Sequence, residues 1–240
     1  MKTAILAMLL TSAAAFAKAA EAEPSSMASS PVPMMGLLAL MALVPFAIVM
    51  LTSFSKIVVV LSIARSALGT QQAPPTMVLT GLAAVLSAHI MAPVVERMYE
   101  AGKDTYSQTA TTTELIASAG KVAEPMRAFL IKHGSADERA RFVDMARDLR
   151  PENEAKLVSA EDLTIVVPAF VLTELKEAFI IGFLIFLPFL VLDMLVANIL
   201  LALGMQTLSP SQVSLPFKIL LFVAVDGWAL LSRGLILGYL

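Results

Sequence analysis

The chain has 240 residues, 58% of them hydrophobic and 15% charged, with a mean hydropathy of +0.82. Soluble domains average roughly 45–50% apolar and about 25% charged residues, so the composition excludes an ordinary soluble globule and points to a membrane protein. With 17 basic against 19 acidic residues there is no basic field for nucleic acid, and with no cysteine there is no disulfide framework, thiolate nucleophile or cysteine-based zinc site.

The charges are unevenly spread. Glu96 to Asp162 carries 23 of the 36 charged residues, whereas 34–55, 66–95 and 194–217 carry none. A bilayer core takes about 20 apolar residues per helix. The expected fold is therefore an all-α membrane protein, with two apolar broken-helix hairpins (about four long apolar segments) flanking a small helical polar domain.

In chain order, residues 1–19 read as a signal peptide. Met1-Lys2 opens a positive region, Ala4–Leu10 is a short apolar stretch, and Ala15-Phe16-Ala17 fits a cleavage site. A short N-terminal membrane or interfacial helix is the alternative. Residues 20–35 read as a flexible linker rich in Ala, Glu, Pro and Ser.

Residues 36–95 form the first hairpin. The first span carries Pro45, a helix-kinking residue, and Ser and Thr at 52, 53 and 55 are placed to re-satisfy backbone groups nearby. Lys56 and Arg65 are the only charges of the hairpin, and by the positive-inside rule they place its turn in the cytoplasm. The turn is Gly69-Thr70-Gln71-Gln72-Ala73-Pro74-Pro75, where the proline pair ends a helix. His89, in the return span, is expected as a packed neutral imidazole bonded to a backbone carbonyl. A proton-sensitive site is the sharper alternative.

Residues 96–162 have soluble composition and read as a small helical domain. Pro125 suits a first helical turn. Gly134-Ser135 is expected to end one helix and cap the next, and Phe142, Met145 and Ala146 share a face of the second. The alternating charges read as a solvated surface. His89 and His133 lie far apart in the sequence, and no catalytic, cofactor-binding or metal-ligating constellation is apparent.

Residues 163–240 form the second hairpin, with a pore loop. Glu174, Lys176 and Glu177 precede a long apolar stretch, Asp193 interrupts it, and Lys218, Asp226 and Arg233 punctuate the last segment. Charges at membrane depth are expensive and face a protein interior or a water path. Lys218 and Asp226 share a face of an isolated helix, two turns apart. Pro45, Pro93, Pro188 and Pro216, with Gly182 and Gly204, are expected to cut the apolar runs. Broken helices at membrane depth require cover from protein or a cavity, which suggests a multi-subunit assembly or a transport pathway.

Four blocks in order carry a family resemblance: Leu51-Thr52-Ser53-Phe54-Ser55-Lys56-Ile57; Ala67-Leu68-Gly69-Thr70-Gln71-Gln72-Ala73-Pro74-Pro75; Pro168 through Glu174-Leu175-Lys176-Glu177 to Phe186-Leu187-Pro188 and Asp193; and Leu208-Ser209-Pro210 through Leu215-Pro216-Phe217-Lys218 to Asp226-Gly227-Trp228. In these the chain resembles the FliP/SctR family, core components of the bacterial type III secretion export apparatus. The match covers about 36–95 and 160–240, with a further similarity at Glu124–Leu130.

The resemblance implies a non-enzymatic export-gate subunit without cofactor, in a homo-oligomer (a pentamer) at the bacterial inner membrane, with the polar domain on the periplasmic side. It implies FliQ/SctS-like and FliR/SctT-like partners, FlhB/SctU-like and FlhA/SctV-like components, and unfolded protein substrates passing through a central pore. By position, Met205, Gln206 and Thr207 fall on the family's methionine gasket, an apolar seal for which a soft side chain is suited. Members often carry a run of methionines there, and this chain has one. Glu174 and Lys176 fall on an inter-subunit charge element, to which Asp193, Lys218 and Asp226 are added. Ile180 departs from the polar residue common at its position. Gly69, Gln71, Gln72, Pro74 and Pro75 carry the turn motif.

A signal peptide suits the flagellar branch. The C-terminal block from Asp226 to Tyr239 and the Leu208–Ser214 block resemble the injectisome branch, which is favoured. Two other classes stand beside these: an autonomous small-solute or ion transporter using Asp193, Lys218 and Asp226 as a relay, and a membrane scaffold binding a partner through 96–162.

Overall fold

The computed structural model describes residues 31–70, 73–103 and 112–240. The stretch expected as a signal peptide (1–19), most of the expected linker, and Gln71 and Gln72 of the turn motif lie outside the described residues. The chain divides into two units, one ending at Phe46 and one spanning Ala47–Leu240. The described part of the first is the bulk of helix α1 (Pro31–Leu51), whose Met35, Leu38, Met41, Leu43 and Phe46 are exposed. Helix α1 starts at Pro31, inside the stretch expected as linker.

The second unit holds the end of α1, then α2 (Phe54–Ala67), α3 (Thr76–Lys103), α4 (Thr112–His133), α5 (Ala136–Asp148), the single turn α6 (Glu152–Ala155), α7 (Leu163–Ala202), α8 (Pro210–Ala224) and α9 (Gly227–Leu237). Every regular element among the described residues is a helix, as the composition and patterning predict. By length and apolarity α3 and α7 can each cross a membrane, and two more spans result if α1–α2 and α8–α9 each count as one broken span. The α8–α9 pair bends by 58°.

Helix α2 is the centre of the unit. Its Ile57, Val60 and Leu61 pack on Leu79, Ala83 and Leu86 of α3, on Ala178 of α7 and on Leu235 of α9. The order of partners, Ser53 with Ser87 and Arg65 with Thr76, makes α2 and α3 antiparallel, the expected first hairpin. Helix α7 is 40 residues long, about 60 Å at 1.5 Å per residue, twice the hydrocarbon thickness of a bilayer. Its first turns are clamped by the polar segment. Val166 and Phe170 meet Phe129 and Leu130 of α4, and Ile165 meets Val143 of α5. Its later turns leave Phe179, Phe183, Leu184, Val191 and Leu195 exposed.

The breaks fall elsewhere than the prolines predict. Pro45, Pro93, Pro188 and Pro216 all sit inside continuous helices, and so does Pro125, rather than opening one. A proline deletes one intrahelical bond, but unwinding in apolar surroundings would orphan several more. The chain breaks instead where other groups take over the bonding. At Thr52-Ser53, Thr52 Oγ1 donates to Ile48 O (2.6 Å) and accepts from Phe54 N–H (3.3 Å), while Ser53 and Ser87 hydroxyls join (3.1 Å). Ser55, expected to help, keeps a buried Oγ without a partner among the described residues. At Gly204 the backbone turns left-handed (φ 72°), and Met205 N–H reaches Leu200 O (2.9 Å) while Gly204 N–H reaches Leu201 O (3.0 Å). This is a Schellman closure, for which glycine is favoured.

Three side-chain expectations are corrected. His89 is exposed on α3 rather than packed. In α5 it is Val143 that is buried, with Phe142 and Ala146 against it, while Met145 is exposed. Ser135 sits at the start of α5 in extended conformation but makes no side-chain cap. Its N–H is taken by Thr173 Oγ1 (3.0 Å), which ties the polar segment to α7.

Candidate functional site: two ion pairs and an exposed loop

Helix α2 lies parallel to α7, joined at both ends and in the middle. At the start Lys56 faces Glu174; midway Ile63 rests on Gly182; at the end Ala67 and Leu68 cluster with Phe189. Gly182 is required by that approach, since a Cβ there would lie 2.4 Å from Ile63 Cδ1.

The first ion pair is sealed. Lys56 Nζ lies 3.0 Å from Glu174 Oε1 and 2.6 Å from Glu177 Oε2, and the Glu174 side chain has no solvent exposure. Tyr239, just beyond α9, donates its hydroxyl to Glu174 Oε2, and its ring lies 4.4 Å beneath Lys56 Nζ. A cation over an aromatic face adds attraction that grows with desolvation. Around Tyr239 stand Phe129 (centroids 6.1 Å) and His133 (5.0 Å) of α4, and Phe170 reaches Phe129 at 5.8 Å. Burial holds the His133 imidazole below its usual pKa. Lys132 and Lys56 push the same way, and Glu177 opposes them.

The second ion pair is half-open. Lys218 Nζ of α8 lies 2.6 Å from Asp193 Oδ2 of α7, and Ser214 Oγ donates to Asp193 Oδ1 at 2.5 Å. The same ammonium donates to Ala67 O (3.2 Å), one of the carbonyls left unpaired at the end of α2. A cation at a helix C-terminus also complements its dipole. Ser214 and Lys218 are buried, but the Asp193 side chain keeps 32% of its exposure.

Among the residues singled out in the sequence, Glu174 and Lys218 are therefore buried and paired within this chain. Lys176, two-thirds exposed, reaches Glu138 (3.8 Å) across to α5. Asp226 does not meet Lys218. It is exposed at the α8–α9 bend in a left-handed conformation (φ 50°), which aspartate tolerates better than most residues. The relay of Asp193, Lys218 and Asp226 thus has two of its three members in contact.

Gly69 is left-handed (φ 76°) after α2, and Arg65 Nη1 closes the turn onto Thr76 Oγ1 (2.9 Å) and Pro74 O (3.4 Å). Met205, Gln206 and Thr207 are exposed in the loop between α7 and α8. Among the described residues, no group of three His, Asp or Glu side chains is placed to hold a metal ion.

Lys56 and Tyr239 are the site residues that sequence reasoning missed. In the sequence Lys56 reads as a loop charge setting topology. In the folded chain it is buried and doubly paired. Its signal was its position, a lone lysine opening an apolar helix. Its carboxylate lies 118 positions away, and no local pattern reports that distance.

Comparison with known proteins places the chain among relatives. The model of the FliP family matches residues 37–235. The hypersensitivity response secretion protein HrcR of Ralstonia nicotianae is 46% identical over 200 residues, covering 82% of this chain and 92% of that protein. The Yop proteins translocation protein R of Yersinia pestis is 45% identical over 204 residues, 84% and 93% of the two chains. The flagellar biosynthetic protein FliP of Caulobacter vibrioides is 42% identical over 206 residues, 85% and 75%. The matched region takes in the polar segment and both apolar hairpins except residues 36 and 236–240, and the chain belongs to the FliP family.

Proposed function

We propose that the chain is a core membrane subunit of a type III protein secretion export gate, in the injectisome branch. Family membership and relatives named for secretion, translocation and flagellar biosynthesis support the gate reading. The injectisome preference rests on the C-terminal blocks and on relatives such as HrcR and the Yop translocation protein, matched over nearly their whole length.

The observation that carries an assembled gate is the outer face of α7. Phe179, Ile180, Phe183, Leu184, Leu187, Val191 and Leu195 are exposed over about four turns beyond the sealed charges. Apolar surface on that scale is covered by lipid or by protein. In this reading, copies of the chain, a pentamer, pack through it together with FliQ/SctS-like and FliR/SctT-like subunits. FlhB/SctU-like and FlhA/SctV-like components complete the apparatus in the inner membrane. The polar segment lies on the periplasmic side. The exposed charges Lys176 and Asp226 contact neighbouring copies, while Lys56–Glu174 and Asp193–Lys218 hold the subunit in shape for those contacts. The loop Met205-Gln206-Thr207 forms this chain's part of the apolar seal. The chain positions and seals, and does no bond chemistry.

Native mass spectrometry of the tagged chain, co-expressed with its neighbouring genes and extracted in detergent, tests this. A fivefold assembly containing two small membrane partners is expected; a stable monomer or dimer alone overturns the gate. In the assembled complex, Met205→Ala should raise ion leak across a bilayer, and unchanged leak removes Met205 from the seal.

A further inference from the structure

Each oxygen of the Glu174 carboxylate has its own partner. Oε1 faces Lys56, and Oε2 accepts from the Tyr239 hydroxyl. Lys56 is shared with Glu177, so one cation faces two carboxylates. A fully buried carboxylate in that position depends on its second donor, because a buried acceptor left unmet loses its hydration without return.

The donor comes from far along the chain. Tyr239 is 65 positions from Glu174 and follows α9, whose own packing is against α2, α3, α7 and α8. Its buried ring lies under Lys56 of α2 and beside Phe129 and His133 of α4. Next to it, Leu240 O accepts from Lys132 Nζ (3.1 Å), a second link to the end of α4. One side chain therefore touches the first hairpin (α2), the polar segment (α4) and the second hairpin (α7) at their common junction.

We propose that Tyr239 is a clasp: a positioning residue whose hydroxyl sets the Glu174 carboxylate for Lys56 and whose ring locks α4 onto the α2–α7 pair. The phenol then adds to the contacts of Val166 and Phe170 with Phe129 and Leu130, and of Ile165 with Val143, that also join the polar segment to the apolar hairpins. The clasp is a property of the folded chain and stands apart from the export reading, because its test involves no secretion.

The test uses the full chain in detergent and compares Tyr239→Phe in two backgrounds, the natural one and Lys56→Met/Glu174→Leu. The phenylalanine keeps the ring and removes only the hydroxyl. In the natural background the thermal midpoint should fall by about 5 °C. In the uncharged background, where no carboxylate waits for a donor, it should stay within about 1 °C. An equal fall in both backgrounds, or none in the first, overturns the clasp.

Amide hydrogen exchange on Tyr239→Phe alone decides the matter if the double variant does not fold. Faster exchange at both Phe129–His133 and Phe170–Ala178 is expected. A change confined to residues 233–240 shows only a fraying end and overturns the proposal.

Discussion

The ion pairs at the two ends of α2 use the same chemistry in different cover. Lys56–Glu174 is sealed, with a phenol and an aromatic cluster around it and no solvent at the carboxylate. Asp193–Lys218 is anchored on a helix-end carbonyl and a serine, and its carboxylate stays a third exposed. The sealed pair joins three parts of the chain, and the half-open pair joins α7 to α8 below the α2 turn. A buried pair adds little net stability over apolar packing of the same shape, but an orphaned buried partner is costly. The sealed pair therefore specifies which helices meet, and the half-open pair tolerates change because water can replace a lost partner.

The largest expected effect comes from orphaning the sealed carboxylate. Lys56→Met should destabilise the detergent-solubilised chain by about 3–5 kcal/mol, and adding Glu174→Leu should recover most of that. Denaturant unfolding of both variants checks it, and a double variant no better than the single one would erase the distinction between the pairs.

Between the pairs, Gly182→Val should cost about 2 kcal/mol by driving a side chain into Ile63, with Ile63→Ala restoring part of the loss. If the two substitutions instead add independently, α2 and α7 do not close at that point.

Asp193→Asn keeps the serine contact and removes the charge. It should cost only about 1–2 kcal/mol, less than the sealed pair, since solvent already reaches that carboxylate. An effect as large as that of Lys56→Met would make the two sites equivalent.

The smallest effect is a pH dependence at the edge of the sealed cluster. His133 in the polar segment has a folded pKa below its unfolded value, chiefly through burial. As pH falls the unfolded chain binds the proton first. The stability His133 contributes is thus complete above about 6.5 and is lost as pH drops from there through the folded value. Unfolding midpoints measured at neutral and mildly acidic pH should fall less for His133→Gln than for the natural chain. Parallel falls would assign the acid sensitivity to other groups.

The contrast between the pairs also marks what is legible in advance. Asp193 and Lys218 stand out in the sequence because each interrupts a long apolar run, and they do meet across the second hairpin. Lys56 and Glu174 are each visible, but as a topological charge and as part of a surface motif. Helical periodicity puts Lys218 and Asp226 on one face, two turns apart and hardly touching, and it cannot see that α8 turns Lys218 toward α7 and ends in a bend at Asp226. The breaks expected at the prolines and at Gly182 fail for a related reason, while the one expected at Gly204 is present. A proline reports the loss of one bond, whereas a helix ends where substitute partners exist, such as Thr52, Ser53 and Ser87, and two of those are contiguous in sequence but the third is not.

Composition and charge spacing by themselves determined the class of the molecule: an all-helical membrane protein, two apolar hairpins around a polar segment. These follow from solvation, which acts residue by residue and leaves its record locally in the chain. The ordered blocks determined the family as well, because they report shared descent. Only the tertiary structure decided that α2 runs parallel to α7, that Gly182 leaves the room Ile63 takes up, and that Lys56, Glu174 and Tyr239 form one sealed cluster. Those facts depend on pairs 65 and 118 positions apart. The free energy of such a contact belongs to the pair, so neither residue's own neighbourhood carries its trace.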